Sequence, residues 1–115
     1  MDESVRSGHL QELRRGTVVV ACLAALRRPL YGYRLVEDLV AAGFEVEGNT
    51  LYPLLRRLES QGLLSSDWNT EEARPRKYYE TTADGRDLLA VLLAESSALH
   101  EAIERIGRTR PEEAG

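Results

Sequence analysis

The chain is short of cysteine, proline and aromatic residues, and it has no long apolar run. With one cysteine in 115 residues no intrachain disulfide can form, and a single thiol builds no metal site. Cys22 lies in the apolar run Thr17 to Leu26, where a buried reduced thiol is expected. That run is too short to span a bilayer and stops at Arg27-Arg28-Pro29. The N-terminus, with Asp2 and Glu3 and no early apolar stretch, lacks the layout of a secretory signal. A cytoplasmic protein with no membrane association is therefore expected. Four prolines, 43% apolar and 30% charged residues argue against disorder along the whole chain.

Catalytic constellations are also missing. His9 sits near the N-terminus and His100 in the middle of a helical pattern; neither is spaced to work with Cys22 or an acid as base and nucleophile. The carboxylates are spread along polar faces without an arrangement that places a metal. The expectation is a protein that is not an enzyme and uses no cofactor. A net charge of −4 does not announce a nucleic-acid binder either, but affinity depends on where cations sit. Residues 1–30 carry five arginines against three acids, whereas residues 86–115 carry four against six.

What is present is helical periodicity interrupted once. Leu10, Leu13, Val19, Val20, Leu23 and Leu26 recur at three- and four-residue steps, predicting a first helix over 10–28 closed by Pro29. Val18 and Cys22 widen its apolar face, as burial on several sides requires. Leu30 to Tyr33 reads as a turn into a second helix over 32–42, with Leu35, Val36 and Leu39 inward and Gly43 as C-capping glycine. After a linker from Phe44 to Gly48, Asn49 or Thr50 is placed to cap a third helix of about 12 residues, with Pro53 in or near its first turn and Gly62 as its stop. Leu51, Leu54, Leu55 and Leu58 share one face of it; Tyr52, Arg56 and Glu59 fall toward the other, with Arg57 at the margin.

The period then changes. Residues 63–69 and 76–81 read as strands joined by a polar turn at 70–75, a hairpin that must lean on the helices through Leu64 and one of Tyr78 and Tyr79. Thr82 caps a last helix over 83–108, about 25 residues and roughly 37 Å long, more than a small three-helix core can cover. Its surplus face, with Leu89, Leu92, Leu99, Ile103 and Ile106, predicts homodimerisation, joined by Val18 and Cys22 of the first helix. The organisation expected is a unit over 10–81, a dimerisation helix over 82–108, and flexible tails at 1–9 and 109–115.

Three helices, a two-stranded β-wing and a long terminal helix make a mainly α winged helix-turn-helix. Such a unit lays its third helix in the major groove of double-stranded DNA. The candidate contacts are Asn49, Thr50, Tyr52, Arg56 and Arg57 on that helix, and Arg74, Arg76 and Lys77 on the wing. The competing reading is a winged-helix adaptor that binds a protein partner. It wants an acidic or apolar outer face on helix three, where this chain has Asn, Thr, Tyr and Arg.

The residues also carry a family likeness. Gly48-Asn49-Thr50-Leu51-Tyr52-Pro53-Leu54-Leu55-Arg56-Arg57-Leu58-Glu59-Ser60-Gln61-Gly62-Leu63 resembles the third-helix signature of the PadR family of transcriptional regulators. Arg76-Lys77-Tyr78-Tyr79-Glu80-Thr81-Thr82-Ala83-Asp84-Gly85-Arg86 resembles its second wing strand and entry to the last helix, and Tyr31-Gly32-Tyr33 its helix-two opening. The likeness covers roughly residues 10–108 and fits the smaller subgroup with a single C-terminal helix. It implies a dimeric repressor on a palindromic promoter element, with the last helix packed against the partner's N-terminal region. It also implies that Tyr52 and the early part of helix three face DNA and that Lys77 and its neighbours are wing contacts. Some members release DNA on binding a small aromatic compound. Trp68, the only tryptophan, is the candidate effector-binding residue here, although it sits on the wing and not on the last helix.

Overall fold

The computed structural model describes residues 1–71 and 73–108. Its first helix, α1, is Glu3–Ala25 and begins well before the expected residue 10. The Asp2 carboxylate caps it, accepting from Ser4 N and Ser4 Oγ, each at 2.7 Å, and these bonds hold the carboxyl below its ordinary pKa. Residues 3–9, expected from sequence as part of a flexible tail, are thus built into α1. They show no apolar period because the segment is exposed all round, and their helix signal lies in the cap and in a short-range ion pair, Arg6 to Glu3 at 3.2 Å. The helix also ends sooner than residue 28. Pro29 disfavours helical geometry in the residue before it, and the chain leaves the helix at a Leu26 cap.

Leu30–Tyr31 is not a simple turn but a two-residue strand, β1. It leads directly into α2, Gly32–Ala41, which is followed after its Ala42 cap by Gly43 with φ +103°, a left-handed conformation that glycine adopts without strain. Helix α3 is Gly48–Ser60. Its cap is Glu47, whose side chain makes no capping bond, so Asn49 and Thr50 lie in the first turn and do not cap it. Pro53 is correspondingly inside the helix, and its missing N–H leaves the Asn49 carbonyl out of the helical bonding. Gly62, φ +78°, turns the chain so that Leu63 N donates back to Leu58 O at 2.9 Å.

The wing strands are β2, Leu64–Asn69, and β3, Arg76–Thr81. They form a three-stranded antiparallel sheet in the order β1-β3-β2, with Leu30 opposite Tyr79 and Tyr31 opposite Tyr78. The expected two-stranded wing therefore gains a third strand, too short to show alternation and created only by pairing with residues nearly 50 positions away. Thr82 opens α4, Ala83–Arg108, as expected: its hydroxyl accepts from Gly85 N at 3.1 Å and donates to Gly62 O at 2.7 Å.

The core joins Cys22, Leu23 and Leu26 of α1 to Leu35 and Leu39 of α2, Leu51, Leu55 and Leu58 of α3, Leu64 and Tyr79 of the wing, and Leu89 of α4. Complete burial of a leucine contributes about 2 kcal/mol, so these side chains dominate the folding free energy. Thr81 is a buried polar residue beside them; its hydroxyl donates to Leu23 O at 2.8 Å and its N–H to Leu26 O at 2.7 Å, fixing the end of α1 to β3. Burial pushes the Cys22 thiol up to about 12, so it stays protonated. The near half of α4 packs into this core through Leu88, Leu89 and Leu92, so residue 82 is not a physical boundary between two units.

The remainder of the two long helices projects. The radius of gyration is 17.9 Å, against roughly 13 Å for a compact chain of this length. Leu99, Ile103 and Ile106 on the far half of α4 are 55%, 67% and 74% exposed. The expected tail at 109–115 lies outside the described residues. No helix among those described is long and apolar enough to cross a membrane.

Candidate nucleic-acid interface

Helix α3 places its side chains by the 100° step of an α-helix. With Leu51, Leu55 and Leu58 buried, Asn49, Pro53 and Arg56 lie opposite the core and are exposed. Tyr52 and Glu59 flank them toward the wing; Thr50 and Arg57 flank them on the other side.

On the wing side the chain forms an open groove of about 490 Å³ lined by Tyr31, Gly32, Tyr33, Tyr52, Arg74, Arg76 and Lys77. Four of the expected contacts, Tyr52, Arg74, Arg76 and Lys77, therefore converge from two distant stretches of sequence. The Arg76 guanidinium sits 4.2 Å above the Tyr31 ring, and Tyr31 meets Tyr78 edge-on at 5.6 Å. Lys77 Nζ lies 5.4 Å above the Tyr79 ring and 3.8 Å from Glu59 Oε1. Arg74 is exposed at the tip. Arg76 and Lys77 are thus held against aromatic faces beside the groove, and with Arg74 they make a surface suited to an anionic backbone.

Tyr52 is held by glycines. A Cβ on Gly32 would overlap the edge of its ring, and one on Gly48 would stand 3.1 Å from Cε2. The ring, 38% exposed, is seated where α2 and α3 both begin, and its rotation is limited by two backbones. Tyr31, Tyr33 and Glu59 complete this region and were not singled out as site residues from sequence. The Tyr31-Gly32-Tyr33 triplet was the available signal, but its place beside Tyr52 depends on β1 pairing with β3.

Thr50 and Arg57 line a second, larger groove of about 1120 Å³ between α1 and α3, with Arg14, Arg15, Val18, Val19, Phe44 and Leu54 among its other walls. They do not join the wing-side cluster. Of the residues expected at a dimer face, Cys22 (0% exposed) and Leu89 (5%) are sealed in the chain's own core, out of a second chain's reach. Periodicity could not separate them from their neighbours because the same helical face continues from core to surface. Val18 and Leu92 are half-buried at the edge of that core, and Leu99, Ile103 and Ile106 stand clear of it. Trp68 is 63% exposed on β2 opposite Lys77 and lines neither groove. Among the described residues no cluster of three or more His, Cys, Asp or Glu is arranged to hold a metal.

The chain is similar to known proteins. The sequence model of the transcriptional regulator PadR-like family matches residues 21–91, from the last turn of α1 to the near half of α4. The transcriptional regulator Rv3488 of Mycobacterium tuberculosis is 34% identical over 98 residues, covering 84% of this chain and 89% of its own. The crystal structure of a PadR family transcriptional regulator from Eggerthella lenta superposes with a TM-score of 0.89 at 45% identity, covering 94% of this chain and 96% of that one. A PadR-like transcriptional regulator from Bacillus cereus, only 22% identical, keeps the fold with a TM-score of 0.76 over 86% of this chain and 99% of its own.

Proposed function

The chain belongs to the PadR-like family of transcriptional regulators, and from that premise we propose that it is a homodimeric repressor holding a palindromic promoter site. The observation that carries this reading is the convergence of Tyr52, at the start of α3, with Arg74, Arg76 and Lys77 of the wing on one groove. In the proposed complex, α3 enters the major groove with Asn49 and Arg56 leading, Tyr52 packs against the groove wall, and the wing cations take the phosphates alongside. The exposed Leu99, Ile103 and Ile106 supply the second half of the mechanism, since they need a partner to leave water. A two-fold axis through such a pair presents two α3 helices to successive major grooves about 34–36 Å apart. An aromatic effector is best accommodated in the groove between α1 and α3, where Val18, Val19 and Phe44 give apolar walls and Arg14, Arg15 and Arg57 give cations; Trp68 lies outside it.

Fluorescence anisotropy with duplexes from the region upstream of the gene tests this directly. An inverted repeat with half-sites one turn apart is expected to be preferred over random duplex. Arg56→Ala is expected to relax preference at one position per half-site by about 1–3 kcal/mol. Arg74→Ala is expected to weaken all duplexes alike and to flatten the slope of log affinity against log salt by about 0.9 for each phosphate it no longer neutralises. Equal affinity for every duplex, with no response to salt, would remove the proposal.

The seat of Tyr52 gives a second expectation. The atoms that a Gly32 Cβ would meet are the far end of the Tyr52 side chain, so Gly32→Ala can be relieved by swinging the ring out of place. The variant is expected to melt within a few degrees of the parent, yet to bind the operator about tenfold more weakly, a loss of about 1.4 kcal/mol. In a Tyr52→Ala background the same change should cost nothing further. An equal loss in both backgrounds would show that the glycine acts by some route other than the ring.

A further inference from the structure

A carboxylate stands on the surface that the proposed function turns toward DNA. Glu59 follows Tyr52 and Arg56 at four- and three-residue steps along α3, one-third exposed, near the end of the helix where it meets the wing. A negative charge there repels phosphates within a Debye length of about 8 Å. It is nevertheless anchored on both sides: Ser66 Oγ donates a hydrogen bond to Glu59 Oε2, and Lys77 Nζ lies 3.8 Å from Glu59 Oε1.

The register explains why these two residues meet it. Across β2 and β3, Leu64 pairs with Thr81, Ser66 with Tyr79 and Trp68 with Lys77, so all six share one face of the wing. Leu64, Tyr79 and Thr81 are buried against the helices, and Ser66 and Lys77 are the next residues outward on that face. One side chain of α3 therefore grips one residue from each wing strand where the core ends. On α3, Glu59 makes these contacts while Arg56, three residues before it, faces outward.

We infer that Glu59 is a positioning residue for DNA binding, fixing the angle of the wing to α3 through Ser66 and holding back the Lys77 charge until a phosphate in the correct place competes for it. The inference rests on the DNA-binding reading above. Its consequence is selectivity. A random duplex, which seats α3 poorly, brings no phosphate close enough to displace Glu59 and sees that cation neutralised. A fitting operator does bring one and displaces Glu59 from Lys77.

Three single substitutions in the full chain separate the parts of this device, each measured on the operator and on random duplex of equal length across a salt series. Glu59→Gln keeps a hydrogen-bonding group for Ser66 but frees Lys77. Random-duplex affinity is expected to rise several-fold more than operator affinity, and the random-duplex salt slope to steepen by about 0.9. Ser66→Ala removes the tether without changing charge; operator affinity is expected to fall several-fold with the slope unchanged. Asp67→Asn removes one negative charge from the opposite face of the same strand and is expected to raise both affinities alike with no change of slope. Glu59→Gln combined with Lys77→Met should abolish the steepening. Steepening that persists without Lys77, or that Asp67→Asn reproduces, would overturn the inference while leaving DNA binding in place. Parent protein that shows no salt-dependent binding would overturn both.

Discussion

Alanine at Gly85 is expected to lower folding stability by about 3 kcal/mol, although alanine is the better helix former. Gly85 lies in the first turn of α4, where an added Cβ would overlap the Leu63 carbonyl oxygen and stand 2.6 Å from Thr81 Cγ2. Neither neighbour can retreat cheaply. The Leu63 carbonyl accepts from Thr82 N at 3.1 Å, the adjacent Gly62 carbonyl accepts from the Thr82 hydroxyl, and Thr81 is bonded to α1 on its other side. The variant must break this junction or lift α4 off the core. Because replacing a helical glycine by alanine otherwise gains about 0.5–1 kcal/mol, the expected loss is net of that gain. Gly16→Ala in α1 provides the contrast: a Cβ there meets nothing within 4 Å, and the variant is expected to be more stable by about that gain. Denaturant titration of both variants checks the pair. A Gly85→Ala variant as stable as the parent, or more so, would mean that the α4 junction is not tight.

The second large effect concerns assembly. Ile103→Glu places a carboxylate in the exposed stripe formed by Leu99, Ile103 and Ile106, among residues the chain leaves uncovered. The monomer should fold with unchanged helicity, since position 103 touches no part of the core. The proposed dimer should dissociate, because a buried unpaired charge is not tolerated in an apolar seam. Operator affinity is then expected to fall roughly 10²–10⁴-fold, the factor by which linking two recognition units exceeds one. Sedimentation equilibrium alongside anisotropy separates the outcomes. A dimer that survives Ile103→Glu would move the interface elsewhere, and a monomer that binds the operator as tightly as the parent would remove the dimer from the mechanism.

Much of the fold follows from local pattern. The leucines of α3, the strand limits near 64–69 and 76–81, and the Thr82 cap of α4 are readable because each rests on neighbours within a few positions. The N-terminal turns of α1 escape such a reading for the opposite reason: an exposed helix has no apolar face to impose a period, and only Asp2 and its ion-paired successors mark it. β1 escapes it because two residues carry no alternation; what makes Leu30–Tyr31 a strand is β3.

The site divides along the same line. Sequence by itself puts Tyr52 and Arg56 on the polar face of a helix and the cations at 74, 76 and 77 at a hairpin tip, since residue type and place in an element determine such positions. Only the tertiary structure decided which of them lie together. Tyr52, Arg74, Arg76 and Lys77 share a groove, whereas Thr50 and Arg57 turn to another. Cys22 and Leu89 fall inside the core while Ile103, on the same kind of helical stripe, remains in water. Periodicity records which side of a helix is apolar, but what covers that side, and where the covering stops, depends on elements distant in sequence.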